Sequence, residues 1–160
     1  CIRDSYSAIV ALSRATDGTV YVLDAQRIRA PFHQVLQFIQ QMGDKWSPTA
    51  VAIEQVQYQA AVVQELSRTT RLPVRGIRTD KDKLTRFLPL LARYEQGLVR
   101  HVPGLPGAFE DELLSFPVGE HDDLVDALAY AFATLTDLPT CDYFPNRDTS
   151  PRFQRGKGMY

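Results

Sequence analysis

Two apolar runs open the chain, over residues 6–13 and 19–24, and both read as strands. Asp17-Gly18 lies between them and supplies a tight turn, so the pair is expected to form a β-hairpin. Arg27 to Ala30 is read as a third short strand. Pro31 then opens a helix with Phe32, Val35, Leu36, Ile39 and Met42 on one face and Gly43 as its stop. Thr49 to Glu54 is a short, nearly continuous apolar run, the pattern of a strand buried on both faces. A helix over Tyr58 to Thr70 follows, with Ala61, Val62, Glu65 and Leu66 at helical spacing, and then a strand over Leu72 to Ile77.

Residues 81–96 are expected to be helical, with Leu84, Phe87, Leu88, Leu91 and Ala92 as the apolar stripe, a kink at Pro89 and a stop at Gly97. Leu98 to Val102 is a short strand or extended link, and 108–115 a short helix. A long helix from His121 to Asp137 closes the series. Antiparallel strands come first and βα alternation follows. That order predicts an α/β fold, a mixed sheet with helices on both faces.

Composition narrows the picture only slightly. The chain has 160 residues, 44% hydrophobic and 23% charged, the make-up of one ordinary globular domain. The net charge of −1 means that any nucleic-acid surface must be local. Cys1 and Cys141 give neither a metal-ligand spacing nor a disulfide framework, which suits a reducing cytoplasm. No secretory signal or membrane-spanning run is visible. After Leu138 the composition shifts to Pro, Asn, Arg, Gly and Ser, so 1–138 is read as the domain and 139–160 as a mobile tail. Because the chain begins with Cys1 and enters a strand almost at once, it is expected to be a piece of a longer polypeptide.

The chemistry concentrates in His121-Asp122-Asp123-Leu124-Val125-Asp126, where a strongly helical stretch begins. Asp122 and Asp126 are one helical turn apart, and Asp123 and Asp126 three residues apart, so these carboxylates share a helix face and repel one another. A hard divalent cation would relieve that repulsion. An acidic first turn favoured by the helix dipole is the plainer reading. Glu54 is the second anchor: it closes a buried strand, where open α/β sheets place their sites. Carboxylates from separate elements, with no Cys/His cluster, favour a pair of Mg²⁺ or Mn²⁺ ions about 4 Å apart over zinc.

Five segments together, Ala52-Ile53-Glu54-Gln55, Asp82-Lys83-Leu84-Thr85-Arg86, Tyr94-Glu95-Gln96-Gly97-Leu98-Val99, Glu112-Leu113-Leu114-Ser115-Phe116-Pro117 and His121 to Ala127, resemble the C-terminal nuclease domain of tailed-phage terminase large subunits. The resemblance covers roughly residues 4–135. It implies a ribonuclease H-like fold in which an Asp on the first strand, an acid ending a central strand and an Asp of the last helix bind the catalytic metals. Glu54 matches the second position. Asp123 is favoured for the third, with Asp122 close behind, and Asp126 is a ligand, an outer partner or a helix-face residue. The first Asp is expected upstream of Asp4, since Asp4-Ser5-Tyr6-Ser7-Ala8 looks like the segment that follows it. The family's Lys-x-x-Arg pattern places Lys83 and Arg86 as phosphate contacts, against the plainer reading of a solvated helix face. Arg78, Lys81 and Arg75 would widen the basic track.

His121 either orients the water or the scissile phosphate, or caps the helix start. Tyr58 and Gln59 are read as packing before groove lining, Trp46 as a core anchor and Asp24 as a turn residue. The resemblance implies double-stranded DNA, a portal ring, a small terminase subunit and an upstream ATPase domain as partners, in a host cytoplasm. No Walker-type phosphate loop is present, so ATP hydrolysis is not expected of this chain. Two readings compete: another ribonuclease H-like nuclease, a RuvC-like resolvase or transposase core, and a non-catalytic domain that docks DNA or the portal.

Overall fold

In the computed structural model, the hairpin forms between β1 (Ser7–Arg14) and β2 (Val20–Ile28), which pair antiparallel from Ser7 opposite Ile28 to Arg14 opposite Val20. The structure describes residues 6–54, 59–78, 81–119, 121–136 and 138. Asp4, Tyr58, Asp137, both cysteines and the expected tail therefore lie outside the described residues. Gly18 adopts φ +86 in the turn, a conformation that suits glycine, and Asp17 accepts the Thr19 N–H at 2.8 Å.

The register shifts between Ala11 and Leu12, opposite Asp24 and Val22 respectively, so β2 carries one extra residue there. Leu23 and Asp24 both meet α1 (Phe32–Trp46): Leu23 packs with Met42 and Trp46, and Asp24 bonds to Lys45 and Trp46. This corrects the reading of Asp24 as a turn residue. It is a buried mid-strand carboxylate that ties down the end of a helix. Nor do Arg27 to Ala30 form a separate strand, because β2 simply continues to Ile28.

Pro31 caps α1 as expected, but Gly43 does not stop the helix. The chain runs on to Trp46, and Ser47, at φ 44, ends it by returning its N–H to the Gly43 carbonyl at 2.8 Å. A Cβ on Gly43 would lie 2.5 Å from a Leu72 methyl, so this glycine serves close approach rather than termination.

β3 (Val51–Glu54) is followed by α2 (Gln59–Thr69) and pairs in parallel with β4 (Val74–Ile77), Glu54 standing opposite Ile77. α3 (Lys83–Glu95) ends before Gly97, whose φ is +69, and β5 (Val99–His101) joins β2 in parallel. Pro89 sits inside α3 and deprives the Thr85 carbonyl of its helical donor. α4 (Gly107–Ser115) and α5 (Asp123–Leu135) complete the fold. Hydrogen bonding gives the orders β1-β2-β5 and β3-β4. α5 lies along β1 and touches β2 and β3, which spans the two sets.

Strand alternation sorts the core onto two faces. Ala8, Val10, Leu12, Val20, Val22 and Ala25 meet Leu124, Val125, Leu128 and Phe132 of α5, together with Phe87 and Leu90 of α3 and Phe109 of α4. Ile9, Ala11, Tyr21 and Leu23 meet Phe38, Met42 and Trp46 of α1 on the other face. Trp46 is thus a core residue. The expected stripe of α3 needs correction: Phe87 and Leu90 are buried, whereas Leu84, Leu88 and Leu91 are exposed. Apolar side chains ring much of this helix, and packing against α5 selected the Phe87/Leu90/Tyr94 side. No helix among the described residues is long and apolar enough to cross a membrane.

Candidate functional site

The site is built where the first turns of α3 and α5 face each other. Asp82 caps α3, accepting the Thr85 N–H at 2.9 Å and its hydroxyl at 2.6 Å, and those bonds hold its carboxyl below the usual range. Lys83 therefore begins the helix. Its ammonium reaches across to Asp122 Oδ2 at 2.6 Å and Asp126 Oδ2 at 3.1 Å. The bond to Asp122 raises the Lys83 pKa above the ordinary lysine value, with partial burial opposing and Asp126 adding. Burial pushes the Asp126 carboxyl up. Lys83 and Arg86 counteract that push, and the neighbouring Asp122 charge reinforces it.

One turn along α3, Arg86 does not lie on a solvated face. Its side chain is 10% exposed, its guanidinium stacks 4.2 Å over the Tyr130 ring, and Nη2 stands 3.5 Å from Asp126 Oδ1. Its Nε is buried without a hydrogen-bond partner among the described residues. Tyr130 in turn donates its hydroxyl to Glu54 Oε1 at the end of β3. Burial first, and the Glu54 carboxylate second, push the Tyr130 hydroxyl well above its ordinary pKa. One chain of contacts therefore runs from Glu54 through Tyr130, Arg86 and Asp126 to Lys83 and Asp122.

The start of α5 is held from outside. Asp122 is the N-cap residue, at φ −143 and ψ 10, yet its side chain makes no capping bond. The Leu124 N–H is taken instead by Glu112 Oε2 of α4 at 2.9 Å. Glu112 is buried and pairs with Arg27 of β2 at 2.5 Å. His121 precedes the helix, exposed, with its ring edge-on to Tyr6 at 6.0 Å. Arg27 lies 4.6 Å over that same Tyr6 ring. His121, Arg27, Asp111, Glu112 and Ser115 line a groove of about 260 Å³.

The structure thus brings Asp122, Asp126, Lys83 and Arg86 together and links Glu54 to them through Tyr130. The side chain of Asp123, the first residue of α5, makes no hydrogen bond or ion pair among the described residues. Arg78 is exposed one residue past β4, at the sheet edge where Glu54 ends its strand, and Lys81 is exposed before α3. Gln59 begins α2, partly buried.

Among the described residues, no group of three or more His, Cys, Asp or Glu side chains converges at metal-holding range. The donors nevertheless suit a hard cation. They are carboxylates, and Asp122 and Asp126 already close around a cationic group, the Lys83 ammonium. Sequence reasoning missed Tyr130, Glu112 and Arg27. Tyr130 follows Asp126 by one helical turn, so its place on the site face was legible. Glu112 opens one of the five family-like segments but carried no assigned role there, and Arg27 carried no local signal; both reach the site only through tertiary contacts.

The family model described as the terminase RNaseH-like domain matches residues 3–135 of the chain. Among solved structures, the crystal structure of the large terminase nuclease from thermophilic phage G20c with bound zinc is similar, with a TM-score of 0.59 and 19% sequence identity, covering 82% of each chain. No curated protein matches the chain. At that identity the structural likeness shows the fold alone, and it bears out the expected mixed α/β architecture of ribonuclease H-like type.

Proposed function

The chain belongs to the terminase RNaseH-like domain family, and we propose on that premise that it is a metal-dependent endonuclease domain of a viral DNA-packaging terminase. Its substrate in this reading is concatemeric double-stranded DNA, cut by phosphodiester hydrolysis with two divalent cations. The observation that carries the reading is the pair Asp122 and Asp126 gathered around a positive charge, with Glu54 tied to the same helix by Tyr130.

Glu54, Asp122, Asp123 and Asp126 would hold the cations, Mg²⁺ or Mn²⁺. The zinc in the phage G20c structure supports a divalent-cation site in general. When bound, the cations supply an activated water and neutralise the attacking and leaving oxygens. The chain's own residues do the positioning. Tyr130 fixes the Glu54 carboxylate, and Arg86 braces Asp126 against the Tyr130 ring. Lys83, half-exposed, with Lys81 and Arg78, meets the DNA backbone, contacts that set orientation without reading sequence. Arg86 is too buried to share that task fully. His121, beside the groove, orients the water or the scissile phosphate. The implied partners are the portal ring, the small terminase subunit and an ATPase domain upstream in the same polypeptide, working in the host cytoplasm.

The test is plasmid cleavage in Mn²⁺ by the polypeptide that carries this domain, beside Glu54→Ala and Asp123→Ala. Cleavage is expected in the wild type and lost in both variants, with circular dichroism unchanged. Removing Asp123 relieves a like-charged turn without unfolding the domain, and Glu54→Ala gives up one hydrogen bond from Tyr130, about 0.5–1.5 kcal/mol, which leaves the domain folded. Absence of cleavage by a folded wild type would replace the reading with a DNA- or portal-docking domain. Preference for four-way junctions over linear duplex would replace it with a resolvase.

A further inference from the structure

Two acidic side chains are buried among the described residues, Asp24 and Glu112. Asp24 is accounted for by its bonds to the end of α1. Glu112 performs a different task. The first N–H groups of a helix have no partner within it, and an Asp at the N-cap ordinarily satisfies one of them with its own side chain. Asp122 occupies that position in α5 and makes no such bond. Its carboxylate is turned outward to Lys83, 2.6 Å away. Glu112 supplies the missing acceptor from a different helix, taking the Leu124 N–H at 2.9 Å. Arg27, 2.5 Å from the other carboxylate oxygen, balances the charge, so the buried acid is neither unpaired nor unsatisfied.

We propose that Glu112 is a positioning residue for the carboxylate site. By capping α5 from α4 it releases Asp122 from capping its own helix. It also fixes the direction in which Asp122 and Asp123 leave the turn, because the bonded Leu124 N–H directly follows Asp123 in the chain. The proposal rests on the reading of Asp122 and Asp123 as cation-binding carboxylates. Without Glu112, the unsatisfied Leu124 N–H competes for the Asp122 carboxylate and draws it back toward the helix.

Three variants separate the cap from the charge pair. Glu112→Gln keeps an oxygen at the same reach for Leu124 but offers Arg27 no charge. Glu112→Asp keeps the charge and falls one methylene short of Leu124. Glu112→Ala loses both. The measurements on the folded chain are Leu124 amide hydrogen exchange, the carboxyl ¹³C shifts of Asp122 and Asp123, and the Mn²⁺ concentration that half-broadens the amide signals of residues 122–126. In Glu112→Ala and Glu112→Asp the Mn²⁺ requirement should rise about tenfold, as for loss of an outer-shell partner. Leu124 exchange should quicken by a factor of roughly five or more, as for a lost helix cap, and both carboxyl shifts should move. Glu112→Gln should stay within about threefold of wild type, since it keeps the capping oxygen.

The reverse order, with Glu112→Asp close to wild type and Glu112→Gln as impaired as Glu112→Ala, would mean that the Arg27 charge pair governs the site and would overturn the proposal. A folded Glu112→Ala indistinguishable from wild type would overturn it as well. If Glu112→Ala does not fold, the order of the Gln and Asp variants decides. A wild-type chain with no Mn²⁺ response would overturn the metal reading, and the exchange rates and carboxyl shifts would then judge the positioning by themselves.

Discussion

Replacing Lys83 by methionine removes the ammonium between Asp122 and Asp126 and keeps most of the apolar stem. In the wild type its nitrogen stands 2.6 Å and 3.1 Å from the two carboxylates, and the three side chains are 51%, 34% and 23% exposed. Pairs this open to water contribute about 0.2–1 kcal/mol each. The Asp122–Asp126 repulsion left uncovered adds a few tenths of a kcal/mol, roughly. The metal-free variant should therefore lose about 1 kcal/mol, a fall in Tm of roughly 2–4 °C. If the ammonium holds the carboxylates by that amount, a divalent cation must overcome it. Lys83→Met should then bind Mn²⁺ about fivefold more tightly than wild type. Thermal melts across a Mn²⁺ series at low salt, with a chelator control and a calorimetric titration, measure both quantities.

The pH dependence has a definite sign. Burial raises the folded Asp126 pKa above 3.8, so its neutral form is favoured in the fold. That contribution is present below 3.8 and is lost as pH rises through the folded value. Protonated Asp126 has no charge for Lys83 to pair with, so the deficit of Lys83→Met should shrink as pH falls through that value. Unchanged or weaker Mn²⁺ binding by a folded Lys83→Met, or an equal loss of stability with and without saturating Mn²⁺, would refute the reasoning.

Tyr130→Phe removes the hydroxyl that fixes Glu54 and keeps the ring under Arg86, so stability should fall by about 0.5–1.5 kcal/mol in urea melts, with a larger proportional loss in cleavage. Asp24 is pushed up by burial, but its bonds from Lys45, Gln26 and Trp46 win and hold its pKa below 3.8. Asp24→Asn should cost about 1–3 kcal/mol at neutral pH. That gap should close below 3.8, as wild-type Asp24 itself takes up a proton. Leu128, fully buried where α5 crosses the sheet, should cost about 2–5 kcal/mol when replaced by alanine. Denaturant melts of the metal-free chain check it.

Local chemistry determined much of the fold. Asp17-Gly18 sets the hairpin turn, Pro31 the start of α1, Asp82 and Gly97 the two ends of α3, and Val51 to Glu54 a short strand ending on its acid, although the structure leaves all four of its residues half-buried where the apolar run predicts burial on both faces. Each follows from backbone restriction, capping or apolar runs that act within a few residues. The acidic start of α5 and its spacing were legible for the same reason, since a helix turn fixes which side chains are neighbours.

What the tertiary structure decided is which partner each group meets. Gly43 carries the mark of a helix stop, but the approach of Leu72 is what requires a glycine there. Apolar residues around α3 left its buried face undetermined until α5 packed on Phe87 and Leu90. The same packing turned Arg86 inward onto Tyr130 and Asp126. Asp24 carries the mark of a turn residue, and it became a buried clamp because the register shift in β2 faces it toward α1. Capping of α5 passed from Asp122 to Glu112, ten residues earlier in the chain and on another helix. Periodicity and caps report what a segment prefers by itself. The burial, charge pairing and capping at this site are settled between segments, where sequence distance carries no information about spatial distance.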